Sequence, residues 1–332
     1  MEQILREKVA NLSDIYKQLN KDYRWRSSSN INNLIALAYT IKDKKYLKDQ
    51  IDAVNNYIKK RTGPFSCYRQ RSILFAALLN LNFPDPEDKF ETLLEYETRL
   101  KEHGFRSYTY RPVTAYTLLV TAKTLDIDSL ISKAYDIFCE MRRNHPWLTA
   151  GDDYPLSILL ANSNQPTTTI MDAIEDLYAE LHDLGFAKSN GLQMLSHILS
   201  LSSEKNSTKA ERCRQLYQFF KDNKIKVYSS NYGTLGLLTL LENQSQKAAC
   251  DVLDLSKYLH DDRSFRWLGR ETLFLTANSL VAATKLESIK DSSEIVHTNA
   301  YVTIEALMAA QNAAILGATC AATSSAATSS GN

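Results

Sequence analysis

A large apolar residue returns along this chain at Trp25, Phe65, Phe105, Trp147, Phe186, Ile225 and Phe265, with spacings of 40, 40, 42, 39, 39 and 40 residues. Seven to nine residues ahead of each stands an aromatic: Tyr16, Tyr57, Tyr96, Phe138, Tyr178, Tyr217 and Tyr258. A phase held over seven copies confines the chain to architectures in which one supersecondary unit stacks on the next.

Within a copy the periodicity is helical. Ile174, Leu177, Tyr178, Leu181 and Leu184 follow a 3.6-residue period, and the first helix ends near a Gly or Asn suited to a left-handed cap: Gly63, Gly104, Asn144, Gly185 and Asn223. Four residues before the recurring apolar position, six copies place Lys21, Arg61, Lys101, Arg143, His182 or Lys221. Cations in the last turn of a helix are explained by its macrodipole at roughly 0.3 to 1 kcal/mol each, so this row predicts structure and not a phosphate ladder. Cap candidates Ser28, Ser66, Thr109, Thr149, Ser189 and Ser229 precede a second, more apolar helix. Its core seam reads Leu34, Leu37 and Ala38 in the first copy, Leu156, Leu159 and Leu160 in the fourth, and Leu195, Ile198 and Leu199 in the fifth.

One such hairpin cannot bury both of its faces. The expected fold is therefore all-α, an α-solenoid over residues 1–297 with hairpins spanning 4–42, 47–82, 88–125, 128–163, 169–203, 208–244 and 248–285. An Ala-rich helix at 298–318 is expected to cap the open end or to form a dimerisation stripe, and 319–332 reads as a disordered low-complexity tail.

Composition agrees with helices. Only 10 Gly and 7 Pro in 332 residues leave few tight turns. The cysteines, Cys67, Cys139, Cys213, Cys250 and Cys320, are odd in number and form no C-x-x-C pair, which predicts reduced thiols in a cytosol. No stretch of about 18 apolar residues suggests a membrane span, so a cytoplasmic protein with no membrane partner is expected. Charge is unevenly placed: residues 1–71 hold 15 Lys/Arg against 7 Asp/Glu, and residues 126–187 hold 3 against 11. Two solvated faces account for this, and attraction to a polar partner or between copies of the chain is the sharper alternative.

The most concentrated polar group is Asn190, Gln193 and His197, at spacings of three and four on one helical face. In the repeat frame the equivalents of Gln193 include Tyr154 and Tyr232, and this flank of the second helix is expected to be neither core nor wholly solvated. His197 as a general base would need an orienting carboxylate or a nucleophile, and its own hairpin offers neither. Asp152 and Asp153 stand five and six residues after their apolar position against eleven for His197. That offset places the backbones on the order of 12 Å apart, too far for one metal ion, so the two carboxylates are expected at a helix N-terminus. No cofactor is implied, because no P-loop, H-E-x-x-H, G-x-S-x-G or Rossmann glycine pattern occurs. The glycines of "GTLG", 233–236, are expected to mark close packing of a helix.

The stretches "AYDIFCEMRRNHPWLTAGDDYPLSILLA" and "AIEDLYAELHDLGFAKSNGLQMLSHILSLSS", with "IKKRTGPFS" and "AAQNAAILGA", resemble an uncharacterised family of Gram-positive bacterial proteins known only as a domain of unknown function. The resemblance runs over nearly the whole chain and implies no activity for any residue. The cadence of aromatic, helix and turn is also similar to pentatricopeptide repeats, which bind RNA, although the unit here is near 40 residues and shows no base-reading columns. The expected function is non-catalytic binding of a protein or peptide through Asn190, Gln193, His197, Tyr232, Asp152, Asp153 and Tyr154. The alternatives are single-stranded RNA on Lys8, Arg24, Arg26, Lys59, Lys60, Arg61 and Arg69, and a hydrolase or metal enzyme around Asp152, Asp153 and His197.

Overall fold

The computed structural model describes residues 2–122 and 126–289, the last three by backbone alone. Fifteen α-helices, and no strand, occur among the described residues. They are α1 (Gln3–Tyr23), α2 (Ser29–Ile41), α3 (Lys48–Arg61), α4 (Cys67–Gln70), α5 (Ser72–Asn82), α6 (Pro86–Glu102), α7 (Arg111–Thr121) and α8 (Ile127–Asn144), followed by α9 (Tyr154–Ala161), α10 (Thr167–Asp183), α11 (Asn190–Ser200), α12 (Asn206–Asp222), α13 (Tyr232–Thr239), α14 (Ser245–Asp261) and α15 (Arg270–Ile289).

Long amphipathic helices alternate with helices that are almost wholly buried. In α1 the buried residues are Leu5, Val9, Leu12, Ser13, Ile15, Tyr16, Leu19 and Tyr23, a stripe along one side. In α9 and α13 all eight residues are buried. Continuous burial requires neighbours on every side, and the seam residues of the sequence supply it: Leu37, Leu195, Ile198 and Leu199 are fully enclosed. At about 1.5 to 3 kcal/mol for each large apolar side chain removed from water, these second helices carry much of the stabilisation.

The helix ends follow local chemistry in part. Ser28, Ser66 and Ser189 accept a backbone N–H as N-caps, whereas the Thr149 hydroxyl donates to the Met141 carbonyl instead. Gly104 and Gly185 take the expected left-handed conformation. After α12 that conformation falls on Lys224 (φ 62°) and not on Asn223, one residue beyond the expected position.

The described residues form two compact units, Lys48–Thr167 and the combination of 2–47 with 168–289. In the first, α3 packs on α5, α6 on α7, α8 on α9, and α7 on α9. In the second, α1 packs on α2, α12 on α13 and α14 on α15, and the buried helices adjoin in the order α11, α13, α15, α2. The N-terminal helix pair is thus joined to the last one: Tyr16 stacks on Phe265 at 4.8 Å, and Ser13 Oγ donates to Asp262 Oδ2 at 3.0 Å. Asn33 Nδ2 donates to Thr276 Oγ1 at 2.8 Å, and Lys285 meets Glu2 and Asp251 at 2.9 Å each. The side of α15 away from α13, where a capping helix was expected, is covered by α2. The expected cap at 298–318 and tail at 319–332 lie outside the described residues.

Glycine sets one of these seams. A Cβ on Gly236 would stand 2.9 Å from Ile198 Cγ2 and 3.1 Å from Leu195 Cδ1, so α13 approaches α11 closely because Gly236 has no side chain.

Candidate functional site

Six of the seven recurring apolar residues fall into two groups, and Ile225 is half-buried. Phe105, Phe186 and Phe265 are buried, while Trp25, Phe65 and Trp147 are 89%, 85% and 97% exposed. Each buried ring is held by a ring from another helix pair. Tyr154 packs edge-on to Phe105 at 4.8 Å, Tyr232 edge-on to Phe186 at 5.0 Å, and Tyr16 stacks on Phe265. The seven recurring positions therefore do not share one structural role: three are enclosed and three project into solvent.

In the unit made of 2–47 and 168–289, the two most exposed rings, Trp25 and Trp267, stand on the loops that join paired helices, while Tyr258, 45% exposed, lies on α14. The turn after α1 closes when the Arg26 and Ser27 N–H groups donate to the Tyr23 carbonyl at 2.8 and 2.9 Å, which throws the Trp25 side chain outward. Arg24 lies over the Trp25 ring at 5.0 Å and Arg26 over Tyr23 at 5.5 Å. After α14, Asp262 Oδ1 accepts the Ser264 N–H at 2.8 Å, Phe265 turns inward, and Trp267, 74% exposed, turns outward with Arg266 above it at 4.9 Å. Between α12 and α13 the Lys226 ammonium lies 4.5 Å from the Tyr228 ring centre.

These loops share one end of the unit. Ser230 and Asn231, at the start of α13, bond to Glu271 at the start of α15. Asn33 and Thr276 join the first halves of α2 and α15. At the opposite end of α15, Lys285 meets Glu2 at the beginning of α1. In the unit 48–167 the same loop positions hold Phe65, Tyr108 and Trp147. Tyr108 OH donates to the Phe65 carbonyl at 2.7 Å and accepts from Cys67 N at 3.2 Å, which fixes the turn that projects Phe65.

The polar residues singled out in the sequence lie elsewhere. Gln193 and His197 are 0% and 1% exposed and Tyr232 is 4% exposed, so this flank is core, contrary to the expectation of a partly solvated face. The reason is lateral packing: one residue per turn of a second helix faces the next second helix, as Thr276 faces Asn33 and Gly236 faces Ile198. Asn190 is half-buried at the first position of α11. In the other unit, Tyr154 is 5% exposed between Phe105 and Phe138, and its OH accepts the Ser107 N–H at 3.3 Å. Asp153, 2% exposed, accepts the Ala150 N–H at 2.9 Å ahead of α9, the expected helix-start role. Burial, reinforced by the charge of Asp152, pushes the Asp153 carboxyl up to about 8. Asp152 and Asp153 belong to one compact unit and His197 to the other. Among the described residues, no group of three or more His, Cys, Asp or Glu side chains is placed to hold a metal ion.

The proposed RNA cations divide. Arg61 is paired with Glu91, and Arg69 Nη1 is spent on the carbonyls of Lys59 and Thr62, while Arg24 and Arg26 are exposed beside their rings. A shallow cleft of about 330 Å³ over α12 includes Arg212, but that guanidinium is already bonded to Glu204 and to the Thr239 carbonyl.

What the sequence reading missed is that a ring at the repeat position can be exposed. The available signal was local: "RWR" at 24–26 and "RW" at 266–267 set indoles directly beside guanidinium groups, an arrangement a core does not accommodate cheaply.

The chain belongs to the family described as protein of unknown function DUF4003, whose model matches residues 15–313. Among curated proteins the chain is similar to "Uncharacterized protein YeaA" of Bacillus subtilis (strain 168), 27% identical over 333 residues, covering 99% of this chain and 98% of that protein. No solved structure matches the chain.

Proposed function

We propose that this is a non-catalytic docking protein, a helical-repeat array of seven hairpins of about 40 residues whose recognition surface is the loop end of the hairpins. The observation that carries this reading is the exposure of Trp25 and Trp267 at one end of a compact unit, each indole beneath an arginine. Large rings left in water at repeated positions, without contributing to the core, mark a surface that is covered in use. Aromatic rings and arginine are also the residue types enriched where proteins make contact. The flank of Gln193 and His197, at first the better candidate, is supported less, because its side chains are enclosed.

The test is site-specific photo-crosslinking in the native cell, with benzoylphenylalanine in place of Trp267 or, as a control, in place of Asp172, exposed in the first half of α10 and away from the loop that follows that helix. Adducts from position 267 and none from 172 are expected. Adducts from 172 alone, or from neither position, would refute docking through the loop end.

A further inference from the structure

We propose that the loop end docks on an anionic phospholipid surface, an inference that rests on the docking reading above and names its partner. The first argument is chemical degeneracy. In six of the hairpins a ring stands on the loop at the repeat position or within three residues after it: Trp25, Phe65, Tyr108, Trp147 and Trp267 are exposed and Tyr228 is half-buried. Indole, phenol and benzene differ in shape and hydrogen bonding, so a partner with moulded pockets would distinguish them. The boundary of a bilayer accepts all three, and Trp and Tyr favour the headgroup depth because each has an apolar body and a polar tip.

The second argument is charge. In the unit 2–47 with 168–289, the loop segments 21–30, 182–190, 221–231 and 260–271 carry ten Lys/Arg against six Asp/Glu. Four of those six carboxylates are engaged within the fold: Asp22 by Tyr46, Asp222 by Gln218, Asp262 by Ser13 and Ser264, and Glu271 by Ser230. The cations Arg24, Lys226 and Arg266 are stacked on the projecting rings themselves. A ring entering the headgroup layer therefore delivers its cation to the lipid phosphates, where each is worth about 1 kcal/mol.

Such docking needs no spanning segment, and no described helix is long and apolar enough to cross a membrane. A single-stranded nucleic acid, whose bases could stack on the same rings, is the competing occupant that the experiment must separate.

The chain's 3 tryptophans are Trp25, Trp147 and Trp267, all exposed on loops between paired helices, so intrinsic fluorescence reports those loops alone. The full chain would be floated with vesicles of phosphatidylcholine containing phosphatidylglycerol, and with vesicles of phosphatidylcholine alone, while indole emission is followed. Flotation with a blue shift on the anionic vesicles, weakened by salt, is expected. The Trp25→Ala and Trp267→Ala substitutions should each weaken binding about tenfold while helicity is unchanged. No flotation on anionic vesicles, equal flotation on both vesicle types, or flotation unaffected by both substitutions overturns the proposal. So does an emission shift produced by a single-stranded oligonucleotide and not by vesicles. If vesicles fail but position 267 crosslinks to a protein, the lipid inference falls and the docking reading stands; if both fail, both fall.

Discussion

Phe265 and Trp25 hold the same place in the repeat and sit on helix pairs that pack together, yet one ring is fully buried and the other is 89% exposed. Phe265 lies flat on Tyr16, with ring planes 4° apart, and its turn is tied through Asp262 to Ser13. Trp25 follows a turn closed by backbone groups alone, so the fold asks nothing of its indole. The unit 48–167 repeats the contrast, with Phe105 clasped by Tyr154 and Phe138 while Phe65 is 85% exposed. A periodic ring is structural only where a neighbour supplies a surface to meet it. Elsewhere the same period displays the ring.

The sharpest way to break the comparison is truncation. Phe265→Ala should cost about 3 to 5 kcal/mol in denaturant unfolding, because a ring packed against Tyr16 leaves a cavity. An equal loss from Trp25→Ala would show the two rings to be alike. Gly236→Ala should cost about 1 to 3 kcal/mol, since the added methyl meets Ile198 at 2.9 Å and the buried seam must yield.

Acidity separates buried from exposed positions in another way. The Asp153 carboxyl, raised by burial from 3.8 to about 8, takes up a proton on folding, so its contribution is fully present below pH 3.8 and is lost as pH rises through 8. Asp153→Asn should flatten the fall in stability between pH 4 and 8, measured as the denaturation midpoint across that range. Glu2 behaves oppositely. Its hydrogen bonds to Lys247 and Lys285 hold it down at about 2, so its contribution is present above 4.5 and is lost as pH falls toward 2. Because Glu2 is 44% exposed, Glu2→Gln should cost only about 0.2 to 1 kcal/mol at neutral pH. The smallest effect is expected from Trp25→Ala combined with Trp267→Ala, within about 0.5 kcal/mol of the parent, which would leave loss of docking as their sole consequence.

The helix pairs, the caps at Ser28, Ser66 and Ser189, and the seam at Leu195, Ile198 and Leu199 were all legible in the sequence. Each depends on residues within a few turns of one another, where spacing alone decides which side chains share a face. The candidate site was less legible. Gln193 and His197 read as a polar flank because sequence places them on a face, but whether that face meets water or another helix depends on elements far along the chain.

The chain by itself therefore determined that it folds as paired helices with buried second members, since helical period and capping are short-range. Only tertiary structure decided that the N-terminal pair joins the last, through Ser13 and Asp262, 249 residues apart. It also decided which rings find a partner, because burial is a property of what arrives from elsewhere, and no local pattern records the arrival.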